Sequence, residues 1–282
     1  MSVMDEVSVV HLVRACNGVE PLRRFLDSYV RYPAGLPHEL LLILKGFRRG
    51  VVPPEIGMLL DQVPHRSIAV ADRGFDIEPY RAAALQLRQQ YVCFFNSFSE
   101  ILAENWLEKL HRHAAVPGVG IAGATGSWES LLSTYESSCR ERQTMLPHKW
   151  VLRGMELRRL KDAFPPLPNP HLRTNAFCIR RDLFLEAVGN LKIRDKMAAH
   201  RFESGRDGLC ATLVKHGARP LVVGKDGVGY APEDWPQSLT FRRQNQDNLL
   251  IADNRTEHYQ RASACDRAGM TLRAWGIHEE QG

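Results

Sequence analysis

The chain has 282 residues, with 37 Lys and Arg against 32 Asp and Glu, for a formal charge of +5. Its 44% hydrophobic and 24% charged content is that of a globular protein long enough to bury a core, which excludes a disordered chain, a collagen-like fibre and a disulfide-stapled miniprotein. A charge this mild permits phosphate-rich partners without arguing for nucleic acid.

The first half alternates strand and helix signals. Residues 7–13 are an apolar run with one histidine, as in a buried strand. Leu22, Phe25, Leu26, Tyr29 and Val30 then fall on one helical face, which Pro33 and Gly35 end. Strands are expected at 40–44, 67–71, 91–95 and 119–122. Helices are expected at 54–60, 79–90 and after Ser97, where Ser97 and Glu100 fit a capping box. Such alternation predicts a mostly parallel sheet covered by helices. From 127 to 161 the pattern is helical and becomes basic. Between Arg140 and Asp162 there are seven Lys or Arg and three acids. Four prolines between 165 and 170 make a stiff linker. A strand at 176–179, helices at 182–188 and near 207–216, and a strand at 221–223 follow. Residues 224–256 read as a long irregular arm, the kind of segment that often carries function.

Six dispersed cysteines with no CxxC spacing read as buried thiols in a reducing compartment, not as a zinc site. Residues 1–6 are acidic and lack a basic signal-peptide head, and no run reaches the ~18 apolar residues of a membrane span. A cytoplasmic protein is expected. The basic 140–161 segment reads first as a solvated face and second as a contact with anionic lipid headgroups; nucleic acid ranks third.

Ligands of open parallel sheets bind at the carboxyl ends of the strands, which here hold Arg14, Lys45, Asp72, Asp76, Asn96 and Ser97. No GxGxxG, GxxxxGK[ST] or GxSxG motif is present, which disfavours a dinucleotide site, a P-loop and a serine hydrolase. His11, on an apolar strand, reads as a satisfied core histidine.

The order Val7-Ser-Val-Val-His-Leu-Val, Leu41 to Leu44, Asp72-x-Gly-x-Asp76, Tyr91-Val-Cys-Phe-Phe-Asn-Ser and Val119-Gly-Ile-Ala-Gly resembles the donor half of a GT-A-fold glycosyltransferase of the family-2 type. Asn175-Ala-Phe-Cys-Ile-Arg-Arg-Asp-Leu-Phe and Phe202-Glu-Ser-Gly-Arg-Asp-Gly-Leu resemble its acceptor side. The resemblance spans about residues 7 to 230. It implies a single α/β domain with a nucleotide-sugar-binding half (1–126), a basic helical insertion (127–165), and an acceptor half with an irregular C-terminal arm (166–282).

It further implies transfer of a sugar, with inversion, from a nucleotide-sugar donor to a saccharide, surface-polymer or lipid-linked acceptor. Glu203 would be the catalytic base, with Asp207 as runner-up. Leu12, Arg14, Lys45, Asp72, Asp76, Asn96 and Ser97 would form the donor site. The polar, aromatic-interrupted arm suggests Trp235, Asp253, Asn254 and Arg255 for the acceptor.

Where the family carries an Asp-x-Asp for Mg²⁺ or Mn²⁺, this chain has Asn96-Ser97-Phe98, followed by Ser99 and Glu100. Two outcomes stay open. A divalent ion could rest on Asn96 and Glu100. Otherwise no metal is used, and Lys45, Arg14, Arg73 and Arg173 offset the leaving diphosphate. A non-catalytic nucleotide- or polysaccharide-binding module on the same fold is the alternative function.

Overall fold

The computed structural model describes residues 7–141, 147–189 and 191–277. Strands β1 (Val7–Arg14), β2 (Glu39–Lys45), β3 (Arg66–Val70) and β4 (Tyr91–Phe95) are parallel, in the order β3-β2-β1-β4. The sheet continues from β4 through Ala176–Arg180, Val119–Gly123 and Arg219–Val223 to the edge strand Gly229–Tyr230. Ala176–Arg180 is antiparallel to both its neighbours, and Gly229–Tyr230 is antiparallel to Arg219–Val223. This is the helix-flanked, mostly parallel α/β sheet expected from the sequence.

Side-chain alternation divides the core into two layers. Val7, Val9 and Val13 of β1 face the helices Glu20–Arg31, Pro54–Leu60 and Trp106–Ala114 through Leu22, Phe25, Leu59 and Leu107. Val10 and Leu12 face the other side, where Tyr80, Phe184, Phe202, Leu213 and Trp275 close the layer. The helices Leu131–Glu141 and Pro147–Ala163 form the expected insertion, with a small core of Leu132, Leu160 and Phe164. Residues 142–146 of the basic segment, like residues 1–6, lie outside the described residues.

Three expectations are corrected. The helix expected at 79–90 is Ile77–Ala84. The Ser97–Glu100 capping box does not form. Glu100–Ile101 pairs instead as a short strand with Ile251–Ala252, and the next helix starts at Trp106. The C-terminal arm is irregular only as far as its two-residue strand Ile251–Ala252; two helices follow, Asn254–Arg261 and Ala264–Trp275. No helix among the described residues is long and apolar enough to cross a membrane.

His11 is in the core, but it is not satisfied. Its ring stacks on Phe25 with centroids 3.6 Å apart, and neither ring nitrogen has a hydrogen-bond partner. Burial lowers its pKa from 6.5 to about 3. The unfolded chain therefore takes up a proton that the folded chain refuses. The stability from a neutral His11 is complete above pH 6.5 and is lost progressively as the pH falls towards 3. Between pH 6.5 and 5 the native protein should lose about 2 kcal/mol relative to a His11→Leu variant, as read from urea denaturation at each pH.

Candidate active site

The parallel register brings Arg14 level with Lys45 at the carboxyl edge, with the 71–76 loop beside them. Arg14 donates to Asp72 through Nε (2.9 Å) and Nη2 (3.2 Å). That fork holds the Asp72 carboxyl below its ordinary pKa and raises that of Arg14. Both side chains are partly exposed, so the pair orients the loop more than it stabilises the fold. Gly46 makes this approach possible: at φ +79° it turns the chain, and a Cβ there would lie 3.1 Å from the Asp72 Cβ.

Lys45 is only 2% exposed. Its ammonium donates to the Phe75 carbonyl and lies 3.7 Å from Asp72 Oδ1. Burial lowers the Lys45 pKa, with Asp76 opposing. Burial likewise raises that of Asp76, a shift that Lys45 opposes and Glu203 reinforces.

These groups line a cleft of about 1180 Å³. Its walls carry Arg14, Lys45, Arg73, Arg81, Lys192 and Arg194 against Asp72, Asp76 and Glu78. The excess of cations suits a phosphate-bearing ligand. Lys192 and Arg194 escaped the sequence reading, because nothing local marks their segment. It is drawn to the cleft by a bond from the Ile193 amide to Glu78 Oε1 at 2.9 Å.

Glu203 stands at the same edge. It rides on the helix Lys196–Ser204, whose N-cap is Asp195, with Oδ1 accepting from the Ala198 amide at 2.8 Å. Its Oε1 accepts from the Thr174 amide (2.9 Å) and hydroxyl (3.2 Å). Among the described residues its Oε2 accepts no hydrogen bond. Glu203 opens into a second cavity of about 250 Å³, shared with Arg173, Arg255 and His200. Asp207 is instead exposed and paired with Lys215 at 2.5 Å, away from that cavity.

Several candidates are corrected. The Leu12 side chain is fully buried in the core, so it offers no side-chain surface to the large cleft. Ser97 is buried and borders only a small recess beside His11. Trp235 is 0% exposed, donates Nε1 to the Tyr230 carbonyl and has no face free for a sugar. Asp253 is structural: 1% exposed, it caps Asn254–Arg261 and pairs with Arg173 Nη2 at 2.7 Å. Asn254 and Arg255 are exposed, and of the two only Arg255 lines the second cavity.

The residues at the Asp-x-Asp position do not fit a divalent ion. Asn96 Oδ1 already accepts from the Phe98 amide (2.9 Å) and the Ser99 hydroxyl (3.1 Å). Glu100 faces Arg24 at 3.8 Å, and Arg24 also pairs with Glu257. Among the described residues no group of three or more His, Cys, Asp or Glu is placed to hold a metal. Neutral oxygens already engaged as acceptors are poor ligands for Mg²⁺ or Mn²⁺.

The Arg173–Asp253 pair gives a prediction. Burial pushes the Asp253 pKa up, but Arg173 and the Thr256 and Arg255 amides outweigh it and hold the carboxyl below its ordinary value. Arg173→Met leaves that carboxylate buried without its cation. It should cost about 3–5 kcal/mol in urea denaturation at neutral pH. The difference should shrink as acid protonates Asp253.

No protein-family model matches the chain, and no curated protein matches it. Among solved structures it is similar to the mannosyltransferase PcManGT from Pyrobaculum calidifontis in complex with GDP-Man and Mn²⁺, at 13% identity and a TM-score of 0.45. The likeness covers 77% of this chain and 54% of that one. It is also similar to mouse xyloside xylosyltransferase 1 in its apo form, at 12% identity and a TM-score of 0.42, covering 77% of this chain and 84% of that one. The chain spans about half the length of the mannosyltransferase, and at these values neither likeness says what this chain acts on.

Proposed function

We propose that this chain is a GT-A-like glycosyltransferase that moves a sugar from a nucleotide-sugar donor to a saccharide or surface-polymer acceptor, with inversion. One juxtaposition supports the reading: a cationic cleft at the tips of β1 and β2, and a carboxylate with one unclaimed oxygen at the same edge. The donor diphosphate lies against Arg14, Lys45 and Arg73. Glu203 Oε2 takes the acceptor hydroxyl proton as that oxygen bonds to the anomeric carbon. The bond from anomeric carbon to phosphate oxygen breaks, and its electron pair leaves with the nucleoside diphosphate. Side-chain cations on the cleft wall stabilise that charge as it develops, and no divalent ion is used.

Acceptor presentation at a membrane surface fits the insertion helix, where exposed Leu152 and Met155 lie among Arg153, Arg158 and Arg159. The neutral residues at Asn96 and Ser97 favour a second reading, a nucleotide- or polysaccharide-binding module without turnover.

Isothermal titration with UDP-, GDP- and dTDP-linked sugars separates these cases. One donor should bind equally well in EDTA and in Mn²⁺. Binding that vanishes in EDTA and returns with Mn²⁺ rejects the metal-free site, and no binding by any donor rejects the reading. Glu203→Gln should lower turnover by about 10²–10⁴-fold with donor affinity unchanged. Full activity in that variant removes Glu203 from the mechanism, and donor binding with no turnover in the native protein supports the binding module.

A further inference from the structure

The second cavity has a charge pattern that catalysis by Glu203 does not require. Three guanidinium groups, those of Arg173, Arg242 and Arg255, converge on a space of about 250 Å³ whose lining acids are Glu129 and Glu203. Two of the three are fixed by one ring: the Arg173 and Arg242 guanidiniums lie 4.4 and 4.9 Å from the Phe241 centroid.

Their charges are unequally met. Arg173 is matched by Asp253 from behind the wall. Arg242 is 8% exposed, yet its Nε has no partner and its Nη1 reaches Glu129 only at 3.4 Å. Arg255 is exposed at the mouth, and among the described residues its guanidinium has no ion-pair partner. Burying a cation this poorly compensated is unfavourable unless something else supplies the negative charge.

The backbone that carries Arg242 is also unusual. Leu239, Arg242, Gln244 and Gln246 all have φ between +45° and +55°, four left-handed non-glycine residues within eight positions. Gln246 Oε1 accepts from the Arg242 amide at 2.9 Å, and the Thr271 hydroxyl donates to the Arg242 carbonyl at 2.9 Å. Strain held in place in this way concentrates where a side chain must be aimed.

We propose that this cavity is an oxyanion subsite, and that the acceptor is an anionic saccharide bearing a carboxylate or a phosphate. Guanidinium forks match either group in two-point geometry. Repulsion from Glu203 orients the ligand, with its anionic group towards Arg242 and Arg255 and a hydroxyl towards Glu203 Oε2. The orientation rests on the glycosyltransferase reading; the anion site itself does not.

Binding of D-glucuronate, D-glucose 6-phosphate and D-glucose, followed by saturation-transfer NMR on the full chain, tests the subsite. One or both charged sugars should bind, and D-glucose should not; which of them binds distinguishes carboxylate from phosphate. Arg255→Gln, an exposed change that leaves the fold intact by circular dichroism, should weaken binding about ten- to a hundredfold. An Arg73→Gln, Arg194→Gln double variant in the other cleft should leave it unchanged, and Glu203→Gln should leave or strengthen it. Equal binding of D-glucose, no binding by either charged sugar, or binding indifferent to Arg255→Gln would overturn the proposal. Binding sensitive to Arg73 and Arg194 would move the anion to the other cleft and overturn it as well. Charged-sugar binding that survives while every nucleotide sugar fails would keep the subsite and reject the transferase.

Discussion

The site depends on the reversal of one strand. Ala176–Arg180 runs against β4 on one side and against Val119–Gly123 on the other, so its amino end meets their carboxyl ends. That places 173–175 beside the tips of β4 and Val119–Gly123. The Asn96 amide donates to the Asn175 carbonyl at 2.8 Å, and the Ala124 amide to the Ala176 carbonyl at 2.9 Å. Thr125 Oγ1 closes the junction on Asn175 Oδ1 at 2.6 Å. Thr174, thus fixed, is what Glu203 leans on. A one-residue slip in this strand would send Phe177 and Ile179 to the wrong face, so the core that selects the register also sets the position of the carboxylate.

Charge then divides the edge into two regions. On the β1–β3 side, Lys45 is stripped of water and held between the Phe75 carbonyl and Asp72, so its positive charge is pre-oriented. Burial makes ionisation of Asp76 less favourable; Lys45 opposes that shift and Glu203 reinforces it. Asn96 is spent on its own turn, and Glu100 faces Arg24.

Much of the frame was legible from periodicity alone. The strands of the first half lie within a residue or two of their expected positions, because a buried parallel strand is a short apolar run with sharp ends. The direction of Ala176–Arg180 was not legible, since an apolar run carries no sign of its polarity. The helix bearing Glu203 was missed although Asp195 marks its N-cap; a weakly amphipathic helix of nine residues gives little else to read. Trp235 and Asp253 misled for a shared reason. An aromatic or an acid in an irregular stretch looks available, but the first fills space over Gly126 and the second caps a helix. The 191–194 segment and Arg242 reach their cavities through tertiary contacts that leave no local pattern.

The wall of the second cavity is tied to this edge through Arg173. Its guanidinium rests on Phe241, and its ion pair holds Asp253. Asp253 in turn caps the helix that begins the C-terminal pair and accepts from the Arg255 amide at 3.0 Å. Trp275, from the second helix of that pair, donates Nε1 to the Phe241 carbonyl at 2.8 Å. A continuous line of contacts therefore runs from the sheet edge to the mouth of the second cavity. The groups along it are largely buried, so their interactions resist the screening that weakens exposed pairs. Arg173 and Arg242, both packed on the Phe241 ring, are thereby held in fixed positions on the wall that Glu203 shares.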